Sequence, residues 1–243
     1  MNLPKKSEDY LNFFSIVIPA HNEEKIIEKT LTSLKKIDYP PKKYEVVVIE
    51  NGSSDQTYKK AKKFESNNFR IYASRKRGVS RARNLGINKA SPELDWCIVM
   101  DADTFLKPNF LKELNRYINR HPNVHFGTTT ILPFPKNLAS RFWFFHRNVT
   151  DCLGKCLHVI HIIKKDILFK EKYDEELHLW EDQKYARALA RHGKYFFMRT
   201  KNVLTSARRF EKVGWIKMFF INIYYGNILP EKIRKRRDWK VIR

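Results

Sequence analysis

A chain of 243 residues with 42% hydrophobic content can bury one substantial core, which excludes a wholly disordered protein. Lys and Arg number 48 against 26 acidic residues, a formal charge of +22 that points to a polyanionic surface, nucleic acid or an anionic membrane face, unless lysine simply solvates the exterior. Three cysteines make no disulfide framework and suit a reducing compartment, the first residues lack the apolar core of a signal peptide, and no apolar run reaches the roughly 20 residues that span a bilayer; the expectation is a cytoplasmic protein, peripheral on the cytosolic membrane face.

In chain order, residues 14–18 (FSIVI) form a short β-rich run that ends at Pro19. From Glu23 to Lys36, Ile26, Ile27, Leu31 and Leu34 recur at helical spacing, and Tyr39-Pro40-Pro41 stops the helix. Residues 44–49 (YEVVVI) are continuously apolar, as in a parallel strand buried on both faces. Asn51-Gly52-Ser53-Ser54 is a turn, and Asp55 opens or caps a helix to about Ser66. FRIYA (69–73) is a third strand, Gly78 to Ala90 a third helix, and DWCIVM (95–100) a fourth strand. Pro108 sits where a first-turn proline opens the helix PNFLKELNRYINR. This alternation predicts an α/β chain with a mostly parallel, doubly wound sheet and helices on both faces.

After Val124 the pattern weakens. HFGTTTIL (125–132) reads as a strand, Pro133-Phe134-Pro135 as a loop, and residues 142–145 (FWFF) are densely aromatic. LHVIHII (157–163) reads as a strand, and Trp180 to His192 as a helix stopped by Gly193. Trp215 to Leu229 is aromatic, too short to span a bilayer, and followed by the basic run EKIRKRR, which suits a helix in the membrane interface or one packed on the domain. We divide the chain into a catalytic domain, 1–210, and a basic aromatic C-terminal extension, 211–243.

The chemistry concentrates in two acidic pairs. Asp101-Ala102-Asp103 closes the strand at 96–100, on the edge where a parallel sheet places its ligand crevice. Carboxylates there hold a hard divalent cation that carries a diphosphate. Glu181-Asp182 starts the late helix. Cys152, Cys156, His158 and His161 lack the turn-forming spacing of a zinc site, so ordinary packing accounts for them better.

FSIVIPAHNEE, VVVIENGSSDQT, RGVSRARNLGINKA, VMDAD and LWEDQKYARAL, in this order, resemble the motif series of glycosyltransferase family 2 from about Phe14 to Phe210. The resemblance implies a GT-A nucleotide-diphospho-sugar transferase fold and inverting sugar transfer from a nucleotide diphosphate donor. It also implies donor contacts from Pro19, Ala20 and Glu23. Glu50 stands where the family usually has Asp against the base, which leaves uridine or guanosine open. It further implies a backbone approach at Gly78, and a diphosphate-side basic residue at Arg81 or Arg83, with Asn84 matching the family's Arg-Asn pair. Asp103 is the implied direct ligand of Mn²⁺ or Mg²⁺, and Asp101 contacts the ribose or the metal through water. Asp182 is the implied catalytic base and Glu181 the residue that places the acceptor. Ser206–Phe210 loosely resembles a segment of processive relatives in which Arg208 or Arg209 closes over the diphosphate, although its Gln and Trp are missing.

The implied partners are the sugar donor, a glycan or lipid-linked acceptor and an anionic membrane surface. Transfer to a polyprenyl phosphate needs no base, so the Glu-Asp pair favours a hydroxyl acceptor. A nucleic-acid-binding protein is the reading from a different class. No helix-turn-helix, zinc-finger or RNP pattern supports it.

Overall fold

The computed structural model describes residues 10–177, 179–215 and 217. The elements run β1 (Phe14–Ala20), α1 (Ile27–Lys35), β2 (Tyr44–Asn51), α2 (Thr57–Lys62), β3 (Phe69–Ser74), α3 (Val79–Lys89), β4 (Trp96–Met100), β5 (Thr104–Leu106) and α4 (Phe110–Arg120). They continue with β6 (Phe126–Thr129), β7 (Leu132–Phe134), α5 (Leu138–Gly154), β8 (Ile160–Lys164), α6 (Lys165–Leu168), α7 (Glu181–Leu189), β9 (Tyr195–Met198), β10 (Val203–Ser206) and α8 (Arg208–Val213).

A seven-stranded sheet has the order β3-β2-β1-β4-β8-β6-β9. Its first four strands are mutually parallel; β8 runs antiparallel to both β4 and β6. Period-two alternation sends Ile16, Ile18, Val46, Val48, Ile98 and Met100 to one face, where α1 and α4 pack with Leu31, Leu34, Leu111 and Leu114. Val17, Val47, Ile49, Cys97 and Val99 face the other side, toward α3, α6 and α7. Each such aliphatic, fully buried, contributes about 1.5–3 kcal/mol. Gly86 lets α3 lie this close: a Cβ there would sit 2.3 Å from Val17 Cγ1.

The second half departs from the sequence expectation. The single strand expected over 125–132 is two strands in different sheets, and Pro133 and Phe134, expected in a loop, belong to β7. Pro133 lacks an N–H to donate, but β7 is an edge strand of a three-stranded sheet ordered β5-β10-β7, where this is tolerated. The aromatic run 142–145 lies within α5, which begins with a reciprocal capping box between Asn137 and Ser140. β9, β10 and β5 were not legible as strands. Among the described residues, no helix is long and apolar enough to cross a membrane. Most of the segment Trp215–Leu229 and the basic run after it lie outside the described residues.

Candidate active site

The chain winds outward from β1 to β2 and β3, then returns to the other side of β1 with β4. That reversal opens a crevice at the C-terminal ends of β1, β2 and β4. Pro19 and Ala20 end β1, and Ala20 lies in register with Glu50 at the end of β2. The loops that follow are sewn together. Asn22 N–H donates to Ser53 Oγ at 2.9 Å, Ser54 N–H to Asn22 Oδ1 at 2.8 Å, and Glu23 N–H to Thr57 Oγ1 at 2.7 Å. Asn22 takes a left-handed backbone (φ 52°), which asparagine tolerates. Glu50 is buried and accepts from Ser53 N–H, so its carboxylate also shapes this turn. Asp55 accepts from Thr57 N–H at 2.9 Å at the start of α2. Gly78 precedes α3 at φ 137°, a backbone that side-chain-bearing residues rarely adopt.

Asp101 and Asp103 follow β4 in this crevice. Burial, then Asp101 and then Glu23 push the Asp103 carboxyl up to about 7, against the pull of Arg208. Burial likewise raises Asp101, opposed by Arg83 and Arg147. Arg208 pairs with Glu23 and reaches Asp103 at 3.6 Å. The small sheet brings it there. β10 pairs antiparallel with β5, setting Thr205 opposite Thr104, and Ser206 N–H donates to Asp103 O at 3.1 Å. Arg209's side chain lies outside the described part.

The second acidic pair joins the first through Arg83. This side chain is only 5% exposed; Nη1 donates to Glu181 Oε1 at 2.8 Å and Nη2 reaches Asp101 Oδ1 at 3.4 Å. Burial alone would lower the Arg83 pKa, but Glu181 and Asp101 outweigh it and hold the guanidinium charged. Asp182 sits beside Glu181 at the start of α7. Burial and then Glu181 push its carboxyl up to about 6, while His158 and Arg83 pull down. Trp180, immediately before them, takes a left-handed backbone (φ 65°), an uncommon conformation for a bulky residue and one found where a turn aims functional side chains.

Arg81 and Arg83, two residues apart, face different surroundings. Arg81 pairs with Glu175 at 2.8 Å. Asn84 Nδ2 donates to Tyr173 O at 2.9 Å and its Oδ1 accepts Tyr173 N–H at 3.0 Å, so α3 pins the stretch that leads into α7. Two residues of this site, Asp151 and Arg147, were not read from sequence. Asp151, fully buried on α5, pairs with His158 Nδ1, whose other nitrogen lies 3.4 Å from Gln183 Nε2. Arg147, also on α5, adds positive charge that lowers Asp101. Nothing in the local sequence ties Asp151 or Arg147 to residues on β4 and α7. His161 is buried and bonded through Nδ1 to Tyr173 Oη at 2.5 Å, a packing role.

No group of three or more His, Cys, Asp and Glu side chains poised to hold a metal occurs among the described residues. A hard cation carried by substrate phosphates needs only one or two protein carboxylates. Asp101 and Asp103, crowded enough to hold their protons more tightly and met by an arginine, are an oxygen donor set that fits such an ion.

A family model described as glycosyl transferase family 2 matches residues 15–178. Poly(ribitol-phosphate) β-N-acetylglucosaminyltransferase TarS of Staphylococcus aureus (strain Mu50 / ATCC 700699) is 31% identical over 111 residues, 44% of this chain and 19% of the relative. A crystal structure of S. aureus TarS 1–349 in complex with UDP-GlcNAc superposes with a TM-score of 0.68 at 20% identity, covering 91% of this chain and 69% of that one. A Methanococcus voltae dolichyl N-acetyl-α-D-glucosaminyl phosphate 3-β-D-2,3-diacetamido-2,3-dideoxy-β-D-glucuronosyltransferase is 37% identical over 106 residues, 42% of this chain and 32% of the relative. The mannosyltransferase PcManGT from Pyrobaculum calidifontis, in complex with GDP-Man and Mn²⁺, gives a TM-score of 0.63 at 18% identity, covering 93% of this chain and 68% of that one. The chain thus spans a third or less of the length of these two curated relatives.

Proposed function

The chain belongs to glycosyl transferase family 2, and from that premise we propose that it is an inverting, metal-dependent glycosyltransferase moving a sugar from a nucleotide diphosphate donor to a hydroxyl of a glycan or lipid-linked acceptor. The observation that carries this reading is the meeting of the two acidic pairs in one crevice, with Arg83 bonded to both. The base and ribose fit the wall built by Pro19, Ala20, Glu23 and Glu50. Gly78 gives the backbone access, and Arg83 and Arg208 supply positive charge on the diphosphate side; Arg81, committed to Glu175, is the weaker candidate.

Asp103, with Asp101 beside it, would hold Mn²⁺ or Mg²⁺, whose charge neutralises the departing diphosphate. Asp182 takes the proton of the acceptor hydroxyl as that oxygen bonds to the anomeric carbon and the bond from carbon to diphosphate oxygen breaks on the opposite face. Glu181, fixed by Arg83, orients the acceptor. A base poised at about 6 is ionised near neutrality and still basic enough to share a proton in the transition state.

The Methanococcus voltae relative acts on a dolichyl-linked sugar phosphate by its name, which supports a lipid-linked acceptor. The +22 charge and the basic extension, 211–243, support a place for the catalytic domain, 1–210, on the cytoplasmic face of an anionic membrane.

The test is thermal shift against UDP, GDP and dTDP sugars with and without Mn²⁺. One nucleotide should stabilise the protein in a chelator-sensitive way, and Asp103→Ala should lose that response while keeping its fold. A nucleotide response in the variant that is unchanged and indifferent to chelator removes the metal assignment.

A further inference from the structure

Helix α5 has two unlike faces. Ser140, Phe144 and Asp151 are buried, and Asp151 holds His158 at the acceptor end of the crevice. The opposite face is apolar and open to solvent: Leu138 is 84% exposed, Phe142 74%, Phe145 68%, Val149 39% and Leu153 78%. Their spacing of four, three, four and four residues draws one stripe along about 25 Å of helix. A soluble protein rarely leaves so continuous an apolar face to water unless something covers it.

Charge selects the occupant. Arg141 flanks the stripe on the helix, and Lys136 and Lys155 stand exposed at its two ends. The only acid on α5, Asp151, is buried on the other face. An apolar stripe edged with cations matches the surface of an anionic bilayer, where acyl chains receive phenylalanine and leucine and head groups receive Lys and Arg. The last described residues lie near α5: Phe210 packs on Trp143 and Phe144, and Trp215 stacks on Phe210. The sequence beyond them leads into a Lys- and Arg-rich run, which like charges on the rim of α5 would repel.

We propose that the outer face of α5 is the surface on which this protein seats itself on an anionic membrane. The proposal extends the reading of an enzyme working at a lipid face, and adds a geometric consequence. The helix that touches lipid through Phe142 and Phe145 is the same helix that delivers Asp151 to His158 beside Asp182. A lipid-anchored acceptor then meets the base at the membrane boundary.

The experiment uses the full chain and the native thiol of Cys152. Cys152 is exposed at the edge of the stripe and Cys97 is buried, so in a Cys156→Ser background an environment-sensitive dye reports from Cys152. Labelled protein is floated with vesicles of phosphatidylcholine alone, or mixed with phosphatidylglycerol. The expected result is a blue shift and flotation with the mixed vesicles. Phe142→Ser with Phe145→Ser should lower vesicle affinity about tenfold or more per phenylalanine, with lipid-free thermal stability unchanged.

Flotation with a silent dye and no effect of the double variant overturns the proposal and leaves membrane association to another surface. No flotation with either vesicle overturns both the seating face and the membrane reading. A lipid-free destabilisation of the double variant shows that residues 218–229 cover the stripe, and a dimer that the variant dissociates shows a second copy there. Either result also overturns the proposal.

Discussion

Arg83 bridges the two acidic pairs through Glu181 and Asp101, Arg208 reaches Asp103 together with Glu23, and the two arginines are held in different ways. Arg83 rises from the middle of α3, packed between the sheet and α7, and is 5% exposed. Arg208 opens α8, is 30% exposed, and reaches Glu23 and Asp103 across the small sheet. A buried guanidinium between two carboxylates is fixed by the packing, and its loss leaves their negative charge uncompensated. An arginine at a crevice edge is a counter-ion that another cation can replace. Glu181 and Asp101 are thus built in through Arg83, whereas Asp103 is only attended.

The largest effect that sharpens this contrast should come from Asp182→Asn, which keeps shape and removes basicity. Turnover should fall on the order of 10²–10⁴-fold with donor affinity unchanged. In the wild type the same carboxylate must be ionised to act, so the rate should be low in acid, rise through about pH 6 and then level. A sugar-transfer assay across pH at saturating donor checks both. A near wild-type rate in the variant would place the base elsewhere or make the acceptor a phosphate.

Next is Arg83→Met, which fills much of the volume and deletes the charge. It should cost about 3–5 kcal/mol in urea unfolding, because Glu181 and Asp101 lose their common partner. A cost below about 1 kcal/mol would mean that Glu181 and Asp101 are no more built in than Asp103.

The smallest effect should come from Arg208→Gln. Stability should change by about 0–1 kcal/mol, as for partly exposed pairs in general. Nucleotide-free Mn²⁺ binding, followed by calorimetry, should strengthen, since a competing cation has left Glu23 and Asp103. Weaker Mn²⁺ binding would show that Arg208 organises the acids rather than standing in for a cation.

The legible part of the sequence is the part whose contacts are local in kind. β1, β2 and β4 are buried on both faces and read as unbroken apolar runs; their polar ends therefore stood out as loops at the crevice. The second half mixes parallel and antiparallel neighbours, and its strands run three to five residues, too short for a period to show. Helix α5 was hidden because its apolar positions serve two faces at once. Asp101, Asp103, Glu181 and Asp182 could be named from motif order, and the structure places them in one crevice. The bond from Arg83 to both pairs could not, because residues 83, 101 and 181 meet only through tertiary packing. Arg81 and Arg83 looked equivalent in sequence; the pitch of α3 sends one to Glu175 and the other to the crevice. Asp151 gave no signal at all.

The three-stranded sheet also has a kinetic side. Thr104 and Thr205, which meet across β5 and β10, are 101 residues apart in the chain. The β1–β4 unit can assemble as soon as its own residues have emerged, because every strand it needs is already made. β5 cannot pair until β10 has been synthesised, and closing so long a loop is entropically costly and slow. Asp103 therefore waits for Arg208 until β10 and the start of α8 have been made, and until then it lacks the guanidinium that faces it in the finished fold.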